Sequence, residues 1–273
     1  PARAARIDRE AGGWIVRAGT TDLRARWIVG ADGAASLVRK QVFTPFDRAQ
    51  LSIAAGSYVD EVETASIAIG FTERPRGYLW SFPRPGHLAV GTCAQADEST
   101  PGELHALTDR WLDAHAPAAG RPRRRYAWPI PSLDARAIDR EQPAGDGWLL
   151  AGDAAGLVDP ITREGIFFAL RSGQLAAAAL TTTDPAREYG TAVRDQLHSE
   201  LRRAARLKAG FFRPRFVRLM IDALGQSDRV RDVMVDLVAG RQSYRGLKRR
   251  LIGTFELGLM LRLVTARDIP RAS

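Results

Sequence analysis

The chain has 273 residues, of which 45% are hydrophobic and 26% are charged, a composition typical of a globular protein with a sizeable core. No nucleic-acid-binding motif accompanies its net charge of +9, so we expect no nucleic-acid partner. The single Cys93 excludes an intramolecular disulfide, and the four histidines stand at no metal-ligand spacing, so we expect no metal site. No apolar run is long enough to span a membrane as a helix, which predicts a soluble, cytoplasmic protein.

The first predicted elements are a β-hairpin and a buried strand. Apolar residues alternate at 14–17 and 23–29 on either side of a glycine-containing turn, which predicts two strands. The second strand ends at residues 30–33, Gly-Ala-Asp-Gly, and a helical pattern begins at Ser36. A strand, a glycine turn and a helix start form a common ligand-binding corner of α/β proteins. Asp32 has the alternative role of capping the helix.

Residues 51–131 have the pattern of an antiparallel sheet. Short β-like runs are separated by Pro, Gly and charged turns, at 52–59, 65–71, 77–82 and 87–92. The sequence Thr-Pro-Gly-Glu at 100–103 then predicts a capped helix start, with the helix ending near His115. Prolines 129 and 131 predict that segment 126–131 is extended.

The segment 147–180 is the most informative part of the sequence. A short strand is predicted to end at Gly152-Asp153, and an alanine-rich helix is predicted at 164–180. A carboxylate at a strand end can accept hydrogen bonds from sugar-alcohol hydroxyls, and small neighbours let a cofactor approach the backbone. The first amides of the helix suit an anionic ring such as reduced flavin. The alternative is a strand, loop and helix whose glycines only serve turns.

From Glu188 onward the sequence predicts mainly helices. Segments 211–216 and 247–252 interleave basic residues with large apolar residues. This pattern has two interpretations that stay open, namely contact with an anionic membrane surface and packing against the FAD domain.

Residues 152–166 resemble the second FAD-contacting motif of the flavoprotein monooxygenase and geranylgeranyl reductase superfamily. The resemblance implies that Asp153 binds the ribityl chain of FAD and that Pro160 lies beside the flavin. It also implies that the amides of Gly165 and Ile166 contact the pyrimidine edge of the ring. The other residues of the implied cofactor site here are Gly152, Ala154 and Gly156.

Residues 30–39 resemble the Asp-Gly motif of the same superfamily, which lies near the pyrophosphate of FAD. The resemblance implies three further cofactor-binding residues, Asp32, Gly33 and Arg39. The occurrence of both motifs in the family's order strengthens the resemblance, because random turns rarely reproduce that order and separation.

Residues 75–83 resemble the Tyr-x-Trp-x-Phe-Pro motif of geranylgeranyl reductases, which is associated with the substrate cavity. Tyr78, Trp80 and Phe82 alternate, so on a strand they project to one face and form an aromatic wall. Such a wall suits a long apolar substrate. The alternative is a row of core aromatics.

Two features depart from the family pattern. Arg163 stands where many members have glycine, and it either stabilises reduced flavin or points to solvent. The Gly-x-Gly-x-x-Gly sequence that holds the ADP half of FAD is absent. We therefore expect the chain to begin part-way through an FAD domain and to bind FAD poorly by itself.

The sequence thus predicts an α/β fold in which a partial Rossmann-like FAD/NAD(P)-binding domain, at 1–45 and 132–185, is interleaved with an antiparallel β-sheet substrate domain at 46–131. A helical C-terminal region follows at 186–273. The resemblance implies hydride transfer from reduced FAD to a carbon–carbon double bond of an isoprenoid, with NAD(P)H or another reductant as electron donor. The residues nominate no catalytic acid. The alternatives are an FAD-dependent monooxygenase or halogenase and a non-catalytic lipid-binding protein.

Overall fold

The computed structural model describes residues 4–115, 120–238 and 241–254. The chain divides into two compact units, Pro1–Ala205 and Arg206–Ser273. The predicted division into segments 1–45, 46–131, 132–185 and 186–273 stays a prediction, and residues 255–273 lie outside the described part.

The first unit begins with a small antiparallel sheet. It consists of β1 (Ala4–Glu10), β2 (Gly13–Ala18) and β3 (Thr21–Ala25), hydrogen-bonded in that order. The predicted single strand at 23–29 is interrupted, because the backbone leaves β2 after Ala25 and a separate strand, β4 (Ile28–Gly30), pairs elsewhere. The amide of Ile28 donates to the carbonyl of Gly147 at 3.0 Å, which directs β4 toward its new partner.

The second sheet has the order β10-β11-β4, with β10 at Ala144–Gly145 and β11 at Trp148–Leu150. β11 and β4 are parallel, and β10 is antiparallel to β11. Three helices belong to the core around this sheet: α1 (Leu37–Val42), α4 (Ile166–Ala179) and α5 (Pro185–Val193). The parallel pair confirms the predicted α/β character of this region.

The third sheet has five antiparallel strands in the order β6-β7-β8-β5-β9. Their bounds are β5 (Leu51–Asp60), β6 (Ala68–Glu73), β7 (Arg76–Arg84), β8 (His87–Gln95) and β9 (Arg123–Pro131). Strand β9 begins earlier than its prolines predicted, and its three leading arginines pair with carboxylates of neighbouring elements. Arg123 binds Asp109 and Asp113, Arg124 binds Asp60, and Arg125 binds Asp109. The basic run is therefore engaged in ion pairs.

Helix α2 (Pro101–Ala114) covers one face of the five-stranded sheet. It starts as predicted, with Thr100 and Glu103 forming a reciprocal capping box and Pro101 in the first turn. Leu104 and Leu112 of α2 are fully buried against apolar residues of the sheet, including Ala55 and Val59. The opposite face of the sheet carries the predicted aromatic residues Tyr78, Trp80 and Phe82.

The remaining helices belong partly to the first unit and partly to the second. α3 (Ala135–Arg140) follows β9, and a π-helical turn, Arg194–His198, joins α5 to α6 (Ser199–Phe211). The second unit contains α7 (Pro214–Gln226), α8 (Asp228–Val238) and α9 (Tyr244–Thr254). Leu247 packs with Val233 and Leu237 inside the second unit, and packing of segment 247–252 against the FAD domain stays a prediction. The side chains of 248 and 252 are outside the description, and membrane contact stays a prediction.

Candidate functional site

The two parallel strands place both predicted cofactor motifs at one edge of the sheet. In the β4/β11 pair, Val29 lies opposite Leu149 and Gly30 opposite Leu150, so the two strands end together. Gly30 permits this close packing, because a Cβ there would lie 2.7 Å from Leu150 Cδ2 and 2.8 Å from Val38 Cβ. Residues that follow the two strands therefore meet at the carboxyl edge, where open α/β sheets bind ligands.

A cavity of about 380 Å³ lies at this edge. Its lining is dominated by small residues, among them Ala31, Gly33, Ala151, Gly152, Ala169 and Gly173, together with Asp153. Gly152 has a left-handed backbone, φ +56°, and a Cβ there would lie 3.1 Å from that of Ala169. Its amide donates to Ser172 Oγ at 2.9 Å, which ties the loop to α4. The cavity thus allows a ligand to reach the backbone.

Asp153 is half-buried at the base of the cavity. Burial raises the pKa of this carboxyl, its own backbone N–H opposes the rise, and the nearby Glu164 carboxylate adds to it. Gly165 lies directly against it, since a Cβ on Gly165 would be 3.2 Å from Asp153 Oδ1. The strand end and the start of α4 are therefore in contact through these two residues.

The loop between Gly156 and Gly165 is stabilised by hydrogen bonds among its own residues. Asp159 Oδ1 accepts from the amides of Ile161 and Thr162 at 2.8 and 2.9 Å. The amide of Asp159 donates to the carbonyl of Glu164, and the amide of Arg163 donates to the carbonyl of Asp159, both at 2.9 Å. Gly156, at φ +70°, turns the chain into this loop. Pro160 is buried within the loop, and Ala154 is buried in the turn that precedes it.

The first amides of α4 are available for a ligand. Gly165 is the N-cap of α4, and Glu164 Oε1 accepts from the amide of Phe167 at 2.9 Å. Within the described part of the chain, no protein acceptor takes a hydrogen bond from the amides of Gly165 and Ile166. Ile166 is also 75% exposed, so its surroundings are open. The two amides are donors at the positive end of a 14-residue helix.

Asp32 and Arg39 serve the scaffold. Asp32 accepts hydrogen bonds from Ser36 Oγ at 2.5 Å and from the amide of Leu37 at 2.6 Å, which is the capping role considered as the alternative. Arg39 is only 2% exposed and forms a two-pronged ion pair with Glu141, at 2.6 and 2.9 Å. It also donates to the carbonyl of Ala154 at 3.2 Å. Arg39 therefore connects the two cofactor motifs from inside the protein, and a direct contact with FAD stays a prediction.

The three predicted aromatics project from one face of β7. The Tyr78 and Trp80 ring centroids are 5.9 Å apart, and those of Trp80 and Phe82 are 6.5 Å apart. The intervening Leu79 and Ser81 are buried on the opposite face, the face that α2 covers. The aromatics stay partly exposed, so they form a wall rather than a fully buried core row.

The sequence reasoning missed a second wall on the same face. Strand register places Tyr58 of β5 and Tyr126 and Trp128 of β9 on this face, across a floor of small residues. The floor consists of Ala54, Gly56, Ala89, Gly91 and Cys93. Burial raises the pKa of Tyr126 to about 12, against the effect of a hydrogen bond with Trp80. The alternation of Tyr126 and Trp128 is the signal that predicts this wall.

Tyr78 joins the aromatic wall to the loop before α4. Its hydroxyl donates to the carbonyl of Thr162 at 2.8 Å. Burial raises the pKa of Tyr78, the nearby Cys93 adds to the rise, and the guanidinium of Arg163 opposes it. The aromatic face and the predicted cofactor loop are therefore adjacent.

Comparison with known proteins gives the family. A family model described as an FAD binding domain matches residues 9–183. The chain belongs to this family. Digeranylgeranylglycerophospholipid reductase of Methanothrix thermoacetophila is 30% identical over 216 residues, which are 70% of this chain and 52% of that protein. The chain thus spans about half the length of this relative. The predicted resemblance to geranylgeranyl reductases is confirmed.

Two solved structures share the fold. A geranylgeranyl bacteriochlorophyll reductase-like protein of Thermoplasma acidophilum superposes with a TM-score of 0.68 at 20% identity, covering 93% of this chain and 69% of that one. The tryptophan C-6 flavin-dependent halogenase of taromycin biosynthesis has a TM-score of 0.55 at 17% identity, covering 97% and 48%. At these identities the likeness concerns the fold alone, and it confirms the predicted fold class.

The described residues also bear on metals and membranes. They contain no group of three or more His, Cys, Asp or Glu side chains that could hold a metal ion. None of the helices in the described ranges is long and apolar enough to cross a bilayer.

Proposed function

We propose that this chain is part of an FAD-dependent oxidoreductase that reduces carbon–carbon double bonds of an isoprenoid. The observation that carries the proposal is the hydrogen bond from Tyr78 to the carbonyl of Thr162. The bond holds the aromatic wall beside the loop that precedes the amides of Gly165 and Ile166, which have no acceptor among the residues that the structure describes. An apolar chain on that wall would lie next to a ring bound at those amides.

The residues present fit the ribityl and flavin part of FAD. Asp153 would accept from ribityl hydroxyls, and the amides of Gly165 and Ile166 would donate to the pyrimidine edge. Because Gly165 has no side chain, the side of Asp153 that faces it stays open to a ligand. A Cβ at Gly165 would lie only 3.2 Å from Asp153 Oδ1. FAD would supply the hydride donor for double-bond reduction, and NAD(P)H or another reductant would restore it.

The sheet face fits an isoprenoid. Two aromatic walls and a floor of Ala and Gly offer a large apolar surface, and dispersion and burial are the main forces that hold a hydrocarbon chain. Exposed apolar residues continue this surface at the sheet edge, where Ile69 is 59% and Trp128 is 66% exposed. Large exposed apolar surfaces mark binding sites on soluble proteins.

Product analysis under anaerobic conditions tests this function. FAD-loaded protein is reduced with dithionite and mixed with geranylgeranyl diphosphate, and the prenyl product is examined by mass spectrometry. We expect product heavier by pairs of hydrogen atoms. Unchanged substrate without oxygen, together with a hydroxylated or halogenated product when oxygen and halide are present, would support the monooxygenase or halogenase alternative instead.

Gly91, in the floor of small residues, offers a substitution that tests whether the sheet face binds the isoprenoid. A Cβ at Gly91 would lie 2.4 Å from Trp80 Cζ2 and 2.8 Å from Tyr126 Oη, so Gly91→Ala must displace both walls. We expect KM for the isoprenoid to rise about tenfold, equivalent to ~1.4 kcal/mol of binding free energy. Steady-state kinetics measure this change. Gly70→Ala is the control, because no atom lies within 4 Å of a Cβ there, and KM should stay unchanged.

A further inference from the structure

Arg163 has a backbone conformation that disfavours its side chain. Its φ of +61° lies in the left-handed region, where L residues other than glycine are uncommon. The surrounding loop enforces this conformation, since the amide of Arg163 donates to the carbonyl of Asp159 at 2.9 Å and its neighbour Glu164 donates to Thr162 Oγ1 at 3.2 Å. Such conformations cluster at functional sites, where the surrounding structure holds them in place.

The guanidinium of Arg163 is equally unusual. Its Nε and Nη1 atoms are buried, and neither has a hydrogen-bond partner in the described part of the chain. Proteins pair nearly all buried donors, because an unpaired one loses its hydration without compensation. Two unpaired donors on one buried cationic group leave its positive charge without hydrogen-bonded compensation, so it can stabilise a negative charge that forms nearby.

The groups around Arg163 show which part of the candidate site lies beside it. Tyr78 is close enough for the guanidinium to affect its pKa, and the Tyr78 hydroxyl is already bonded to the Thr162 carbonyl. The acidic neighbours are also engaged, since Asp159 Oδ1 binds two loop amides and Glu164 Oε1 caps α4. The side chain stands two residues before Gly165, whose amide begins the row of donors at α4. The groups without a partner among the described residues are Nε and Nη1 of Arg163 and the amides of Gly165 and Ile166. All four are donors, so this part of the site favours an anion.

We propose that Arg163 stabilises the anionic reduced form of the flavin ring electrostatically and thereby raises the midpoint potential of bound FAD. The inference rests on the proposed function. When oxidised FAD accepts a hydride, which is two electrons and one proton, the ring system gains one negative charge. A fixed cation whose Nε and Nη1 atoms are buried favours that charged form over the neutral oxidised form.

The midpoint potential of the FAD-loaded protein tests the proposal. It is measured by equilibration with a reference dye in the wild type, in Arg163→Gly and in Arg163→Lys. We expect Arg163→Gly to shift the reduced-to-oxidised ratio about tenfold toward the oxidised form at a given potential, which is a shift of ~30 mV to more negative values for a two-electron couple. Arg163→Lys keeps the charge and should keep most of the wild-type potential.

Thermal unfolding of the apo forms separates the electrostatic role from backbone strain. Glycine relieves a left-handed backbone, so Arg163→Gly should melt at a higher temperature than the wild type. Glu61 is a matched control, because it has φ +59° and a largely exposed side chain that makes only a surface ion pair with Arg121. Glu61→Gly should also raise the melting temperature, yet leave the potential unchanged.

The outcomes are distinct. A potential in Arg163→Gly equal to that of the wild type overturns the inference, even if the melting temperature rises. An unchanged potential with a raised KM for a diphosphate substrate also overturns it and assigns Arg163 to the substrate. If the wild-type protein binds no FAD even at a cofactor concentration high enough to offset the absent Gly-x-Gly-x-x-Gly sequence, the proposed function itself fails, and that failure is recognised before any potential is measured.

Discussion

Replacement of Glu141 by leucine is expected to destabilise the protein by about 3–5 kcal/mol, because it leaves the buried guanidinium of Arg39 without its counter-charge. Both side chains are almost completely buried, at 2% and 4% exposure, and the guanidinium stacks 3.6 Å from the ring centroid of Phe46. Burial has therefore already removed the hydration of both charges, and Glu141 supplies the only counter-charge that the structure pairs with Arg39 in its described residues. Urea unfolding followed by circular dichroism measures the change.

A double variant distinguishes the ion pair from simple packing. Arg39→Met with Glu141→Leu removes both charges, and such replacements are often close to neutral. We expect the double variant to be more stable than the Glu141→Leu variant, although the carbonyls of Thr44 and Ala154 lose a donor. An exposed pair such as Arg24 with Glu10 should give only a small effect on substitution. A Glu141→Leu variant as stable as the wild type would refute the role assigned to Arg39.

Replacement of Asp153 by alanine is expected to weaken FAD binding by about 10- to 100-fold, because hydrogen bonds to a charged acceptor contribute roughly 1.5–3 kcal/mol each. The carboxylate lines the cavity and faces Gly165, so no other side chain of the cavity replaces it as an ionised acceptor. Fluorescence titration with FAD measures the dissociation constant. Asp146→Ala is the control, since Asp146 is 95% exposed on the turn before β11. Equal affinities for the Asp153→Ala variant and the wild type would exclude Asp153 as a ligand.

The same residue has an opposite effect on stability. The pKa of Asp153 is raised in the folded protein, so the folded state binds the proton more tightly than the unfolded state. The ionised carboxylate therefore disfavours folding at pH values above 3.8, the ordinary pKa of the group. This cost in folding free energy disappears as the pH falls below that pKa. Asp153→Asn should be more stable than the wild type at neutral pH, with a difference that shrinks in acid. Thermal unfolding across this pH range checks the sign. A less stable Asp153→Asn variant at neutral pH would contradict it.

Local sequence patterns predicted the elements around the site well. Alternation located the strands of the five-stranded sheet, and the Thr-Pro-Gly-Glu sequence located the start of α2, because both depend on neighbouring residues. The aromatic wall at Tyr78, Trp80 and Phe82 followed from the two-residue period of a strand. The resemblance implied a Rossmann-like domain, but the parallel pairing that aligns Gly30 with Leu150 was not predicted, since such pairing depends on residues far apart in sequence.

Other features of the site depend on tertiary structure, and the sequence did not reveal them. The pairing of Arg39 with Glu141 links positions 102 residues apart, so neither residue alone indicates that it is buried. The wall at Tyr126 and Trp128 became part of the site only through the register of β9 with β5. The left-handed backbone of Arg163 was unexpected too, because arginine gives no local signal for it. The departure from the family's glycine was nevertheless visible in the sequence.

The central claim is that the aromatic face and the loop before α4 form one site for an isoprenoid and a flavin. The absorbance spectrum of protein-bound FAD, recorded before and after addition of geranylgeranyl diphosphate, tests it most directly. We predict a saturable shift of the flavin bands in the wild type and in Gly70→Ala, with a weaker apparent affinity in Gly91→Ala. A flavin spectrum that the isoprenoid leaves unchanged at saturation would contradict the claim.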